Sequence, residues 1–350
     1  MFAKSLAKLA IVALPALALA ACGGGNSAGG SRDYVSAVGS STVYPFANMA
    51  AESFAAAHSG MKTPKIESTG TGGGIERFCA GVGAATPDIA NASRRMKASE
   101  FETCQKNGVT DIVEIQIGID GISIGQANNG PSFNLTQADI YKALAANPFG
   151  QPNTAKTWHD VNPALPEVAI SVYGPPSTSG TYDAFKELIL GKGCESDPAM
   201  KALKDSNKEQ YEANCHTLRG APEYVEQGEN DNLIIQKLVR NTSSLGIFGF
   251  SYLDANRAQI RDVKINNVEA TSATIADGSY PGSRPLYIYV KKAHVGVIPG
   301  LKEYVAAFVA AAAANGPLTQ HGLIPLGADL FGVSTRASTE LPVMTAEGLK

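Results

Sequence analysis

The sequence predicts an α/β fold with largely parallel sheets, and three observations predict it. Strand-like apolar runs alternate with helical patterns along the chain, and 44% apolar residues are ample for globular cores. Three strand–loop–helix units carry short loops built from Gly, Ser and Thr. No fixed-period repeat is visible.

The first residues, "MFAKSLAKLAIVALPALALAACGGG", set Lys4 and Lys8 before a short apolar run and a small-residue stop. That pattern is an export signal and too short for a membrane span. Cys22 after Leu19-Ala20-Ala21 looks like a bacterial lipobox, so residues 1–21 are expected to be removed and Cys22 lipidated. Gly23 follows it, not the Asp that retains lipoproteins at the inner membrane, which favours an outer membrane or cell surface. The stretch "GGGNSAGGS" makes residues 22–33 a flexible tether. About 330 residues remain, roughly two domains' worth.

In the first unit, "AVGSSTVYPFANMAAESFAAAH" runs from an apolar segment through Ser40, Ser41 and Thr42 into a helix bearing Phe46, Met49, Ala50 and Phe54. In the second, "ESTGTGGGIERFCAG" leads into Ile75, Phe78 and Cys79 at helical spacing. Two strand-like runs, 112–118 and 121–126, then flank Asp120-Gly121, a pair that suits a turn. A helix follows over 136–146 with Thr136 as its cap.

The third unit, "AISVYGPPSTSGTYDAFKELILG", passes from a strand at 169–173 through Ser177 to Thr181 into a helix at 181–191. There Asp183 would close a capping box on Gly180. A helix at 230–241, the apolar run "LGIFGFSYL", the strand "RPLYIYVKK" and a helix at 300–314 complete the order.

A loop of this kind leaves unpaired N–H groups at the positive end of a helix, where an anion can sit. One such loop is ordinary capping. Three of them suggest convergence on one tetrahedral oxyanion, wrapped by amides and hydroxyls.

Other classes fail on specific residues. "GTGGGIER" lacks the Lys-Ser/Thr ending of a P-loop, and no G-x-S-x-G surrounds Ser179. His58, His159, His216, His294 and His321 have no metal spacing, and Trp158 reads as packing. A net charge of −3 offers no nucleic-acid footprint. The chain is expected to be no enzyme and to need no cofactor. Beyond Cys22, four cysteines in an exported chain read as two disulfides. Proximity pairs Cys79 with Cys104 and Cys194 with Cys215, each worth roughly 3 kcal/mol by chain entropy. Two other connectivities remain open.

The stretches "VGSSTVYPFA", "STGTGGGIERFC", "DIANASRRM", "IDGISI", "PPSTSGTYDAFKEL", "LGIFGFSYL" and "YPGSRPLYIYVKK" span essentially the mature chain in this order. Together they resemble the phosphate-binding lipoproteins of bacterial phosphate ABC transporters, the PstS family. The resemblance implies a two-lobed periplasmic-binding-protein fold with a two-strand hinge and a ligand cleft between the lobes. Residues 34–119 plus 247–350 would form lobe I, and 120–246 lobe II. The site would comprise Ser41, Thr42 and the Val43 amide, Thr71 and Gly72, and Ser179, Gly180 and Thr181.

Two departures matter. Ser93 stands where some relatives place an Asp, and Pro175 where some place an Arg. Arg94 is the expected replacement cation, ahead of Arg95, because a guanidinium forks onto two oxygens. The proton of a phosphate dianion needs an acceptor, for which Asp120 is the first candidate and Asp183 the second. The implied function is high-affinity capture of inorganic phosphate outside the inner membrane and delivery to the permease subunits of an ABC importer. The alternatives are a surface or secreted phosphate scavenger that docks on no transporter, or a binder of another tetrahedral oxyanion.

Overall fold

The computed structural model describes residues 32–177, 179–228 and 231–350; the leader, Cys22 and the rest of the tether up to residue 31 lie outside them. In chain order, β1 (Ser36–Gly39) leads into α1 (Tyr44–Ala57) and β2 (Lys65–Ser68) into α2 (Thr71–Phe78), while β3 (Ile89–Ala92) precedes α3 (Ala98–Lys106). The 16-residue β4 (Ile112–Ala127) is followed by β5 (Asn134–Leu135), α4 (Gln137–Leu144) and α5 (Trp158–Val161). β6 (Val172–Gly174) opens into α6 (Gly180–Phe185), which continues as a π-helical turn over Lys186–Leu190. β7 (Tyr224–Glu226), a helix at Asn232–Arg240, β8 (Leu245–Gly249), β9 (Ile260–Asp262), β10 (Lys264–Ile265) and β11 (Ser283–Lys291) come next. Helices Leu301–Ala311 and Ala328–Glu340 lie near the C-terminus.

Eight strands run in the order β2-β1-β3-β11-β4-β8-β6-β7, with β9 also on β4. The pairs at the two flanks are parallel, as βαβ units demand. The expectation of a largely parallel sheet fails in the middle, where β11 and β4 are antiparallel to every partner. The reason is that these strands pass between the two halves. β4 pairs with β11 over Ile112–Gly121 and with β8 over Ile122–Gln126. Asp120-Gly121 forms no turn: Asp120 stays in register opposite Arg284, and the two expected strands are one.

Each half has its own core. In the first, Phe46, Ala50 and Phe54 of α1 meet Ile115, Ile117, Leu286 and Ile288 on one sheet face, with Tyr304, Val305 and Phe308 beside them. On the other face Ile75 and Phe78 of α2 cover Ala90, Ala92 and Tyr289. The second half buries Tyr141, Trp158, Phe185, Ile234 and Phe248 together.

Residues 247–280 belong to this second core: Phe250, Ile260, Val263, Ile265, Ile275 and Tyr280 all pack there. The resemblance implies 247–350 in lobe I, and the packing of 247–280 departs from that. β8, at the proposed boundary, is an inner strand of the second sheet, beside β4 and β6. The chain returns instead near Gly282, whose carbonyl accepts from the Ile122 amide at 2.9 Å.

Cys79 is bonded to Cys104 and Cys194 to Cys215. The first disulfide ties α2 to α3, directly behind the second Gly-rich loop.

Candidate anion site

The first and third loops converge on one cavity, and the second, expected to join them, does not. In the first, Ser40 is buried and its Oγ accepts from the Thr42 and Val43 amides at 3.2 and 3.4 Å. That leaves the Ser41 and Thr42 hydroxyls projecting from the loop. Pro45 then starts α1 at a position where its missing N–H costs nothing.

The second loop turns at Gly70 (φ 72°), and its helix approaches β1 so closely that a Cβ on Gly74 would lie 2.4 Å from the Gly39 Cα. Gly74 requires glycine because no side chain fits between the two backbones, and Gly39 because a Cβ there would lie 2.1 Å from the Asn91 carbonyl oxygen. Thr71 and Ser93 meet there, with Oγ1 to Oγ at 3.0 Å, and the Ser93 amide donates to Thr71 Oγ1 at 3.1 Å.

In the third loop the helix cap is Ser179, whose Oγ accepts from the Thr181 amide at 3.2 Å. The expected capping box on Gly180 does not form. Asp183 is one residue too far from that cap and instead accepts from Ser41 Oγ at 2.5 Å, reaching across 142 residues of sequence. Gly180 abuts the first loop: a Cβ there would lie 3.1 Å from the Thr42 Cα and 3.2 Å from the Ser41 carbonyl oxygen.

One cavity of about 460 Å³ is lined by Ser41, Thr42, Asp120, Ser179, Gly180 and Thr181, with Tyr44, Pro45, Phe46, Met49 and His321 completing its wall. Gly72 lines a different groove, with Thr69, Glu76 and Glu100. Arg94 is held bidentately by Glu100 at 2.9 and 2.7 Å, and Arg95 by Glu114 at 2.9 Å.

Arg284, a residue outside the expected site, bonds to two residues of the cavity wall. Its side chain is 5% exposed, and the guanidinium reaches β4, the first loop and the π-helical turn. Nε donates to Asp120 Oδ2 at 3.2 Å, Nη1 to Glu187 Oε2 at 2.5 Å, and Nη2 to Thr42 Oγ1. The signal was present in "YPGSRPLYIYV": an Arg at an inward-facing position of an apolar strand needs a buried partner. Burial pushes the Asp120 carboxyl above the ordinary carboxylate range, and the Arg284 charge works against that rise.

The arrangement can seat a compact oxyanion. It offers hydroxyls from two loops, amides at two helix starts and one guanidinium, with a carboxylate beside them to accept a proton. Among the described residues no cluster of metal-ligating side chains occurs.

Comparison with known proteins gives one consistent answer. A PBP superfamily domain matches residues 25–312. The chain is 32% identical over 298 residues to the phosphate-binding protein PstS of Staphylococcus saprophyticus, covering 83% of this chain and 80% of that one. It is 30% identical over 323 residues to protein SphX of Synechococcus elongatus, covering 88% and 82%. Its fold matches the crystal structure of a possible phosphate-binding protein from Planctomyces limnophilus with a TM-score of 0.71, at 27% identity, over 88% of this chain and 98% of that one.

Proposed function

Since the chain belongs to the PBP superfamily, and within it to the PstS-type phosphate-binding proteins, we propose that it captures inorganic phosphate and delivers it to an ABC importer. The observation that carries this reading is the convergence of the first and third loops on one cavity, with Arg284 bonded to Thr42 and Asp120 of its wall. Ser41, Thr42, Ser179, Gly180 and Thr181 supply donors, Arg284 supplies the charge, and Asp120 accepts the phosphate proton. Thr71, Ser93 and Arg94, now paired with one another or with Glu100, join the ligand only by exchanging those partners. The Val43 amide likewise exchanges Ser40 for the anion, and Gly72 follows its loop.

In this reading the protein is a carrier and not an enzyme. It is exported, lipidated at Cys22 and docked on permease subunits. The halves act as lobes that swing about β4 near Gly121 and the β11 entry near Gly282, and phosphate latches them by touching both. Calorimetry of the purified soluble domain against phosphate, sulfate and a phosphate monoester tests the assignment. Heat with phosphate alone is expected. Heat only with a monoester or with sulfate would redirect it.

A further inference from the structure

Glu187 is placed as no other carboxylate around Arg284 is. It sits in the π-helical turn after α6, where the wider turn re-aims side chains, and it belongs to the half opposite β11. Its side chain is 58% exposed, against 16% for Asp120 on the same guanidinium. Asp120 is therefore the fixed partner, paired in the ladder. Glu187 is the movable one, free to swing into water at little desolvation cost. It takes Nη1 at 2.5 Å, next to the Nη2 that Thr42 receives, so it covers the guanidinium edge nearest the anion loops. Its charge is also felt at Arg94, so it lies toward the other arginine of this region.

We propose that Glu187 is a tethered competitor for the anion site, and that it determines which oxyanions can enter. This rests on the phosphate-binding reading above. A carboxylate fixed to the neighbouring helix acts at a high effective concentration. A free monoanion, such as acetate or chloride, offers Arg284 no more than Glu187 already does and lacks that advantage. Phosphate dianion brings two charges and enough oxygens to engage Arg284 and the hydroxyl loops together, so it displaces Glu187. The apparent affinity for phosphate is lowered by the fraction of molecules in which Glu187 holds the arginine.

The test is calorimetric titration of inorganic phosphate into the wild type and into Glu187→Gln, at fixed ionic strength, with and without sodium acetate. A pair with one exposed member implies phosphate affinity roughly two- to sixfold tighter in the variant. Acetate, inert against the wild type, should begin to compete. Glu187→Ala should move the same way, because the carboxylate and not the side-chain bulk competes. Affinity equal to or weaker than the wild type in both variants would overturn the competitor role while leaving phosphate binding intact. Absence of phosphate heat in all three proteins would overturn both readings.

Discussion

Arg284 stands directly opposite Asp120 across the β4–β11 ladder, at the point where β4 leaves one sheet for the other. The pair joins a strand entering the second half to a strand returning from it, and the same guanidinium reaches the first anion loop through Thr42. Crossing point and binding charge are one structure.

Removing that arginine should damage both. Arg284→Ala leaves Asp120 buried without its partner, which costs about 3–5 kcal/mol. Phosphate affinity should fall at least about a hundredfold, since a charge-assisted fork is lost. Arg284→Lys keeps the charge but not the fork, and roughly tenfold weaker binding is expected. Denaturant titration and calorimetry read the two effects separately. Undiminished affinity in both variants would exclude Arg284 from the site.

Gly180→Ala probes the closeness of the first and third loops. The added methyl would meet the Thr42 Cα at 3.1 Å and the Ser41 carbonyl at 3.2 Å, backbone that has little room to yield. Phosphate binding should weaken about tenfold or more at this half-buried helix start, because the methyl holds the two loops apart. Tight binding by the variant would show that the loops do not approach this closely in the liganded protein.

Thr181→Ala and Ser179→Ala should differ in kind. Each deletes a hydroxyl from the cavity wall, worth about 1.5–3 kcal/mol against a charged ligand, or roughly ten- to a hundredfold in affinity. Only Ser179 also caps α6, so its loss should cost about a further 1 kcal/mol of stability without ligand. Equal melting temperatures for the two variants would contradict the cap.

Asp120→Asn addresses selectivity. Sulfate has no proton to give, so a carboxylate in the cavity repels it. An Asn accepts from phosphate but does not repel, so sulfate should start to compete in a phosphate titration. Sulfate remaining inert would reduce Asp120 to an anchor for Arg284.

Asp262 gives a pH signature in the second half. Burial pushes its carboxyl from 3.8 up to about 6; Oδ2 accepts from the Ala270 amide at 3.0 Å and Oδ1 is buried unpaired. Between about pH 4 and 6 the folded chain holds a proton that the unfolded chain has released. That stability is present below the window and lost as the pH rises through it, by at most about 3 kcal/mol. The melting-temperature difference between wild type and Asp262→Asn should therefore shift toward the variant from pH 4 to pH 7. A difference independent of pH would contradict the buried proton.

What the chain order disclosed was local. The loops beginning at Ser41, Thr71 and Ser179 announce themselves by composition, and Thr136 by the Asp139 three residues on, which does close a capping box. Arg284 lies 242 residues from Thr42, and no local pattern links them. Glu187 was hidden for a similar reason, since helical spacing alone cannot forecast a π turn. The break between strands at 112–118 and 121–126 did not materialise, because the turn preference of Asp-Gly is a weak local signal that ladder pairing overrides. Likewise, "LGIFGFSYL" is apolar enough for either half, and only the pairing of β8 decides.

The shared strand has a further consequence. Because β4 supplies inner ladder positions to both sheets, melting either half strips the other of a central partner. Ile324 adds a second stitch, exchanging 2.9 and 3.0 Å backbone bonds with Ile119 while its side chain packs into the second core. Two hydrophobic cores would ordinarily unfold as two cooperative units. Here a scanning calorimeter should record one endotherm, with van't Hoff and calorimetric enthalpies in agreement. A break in either half, however far from the cavity, then lowers the melting point of the whole.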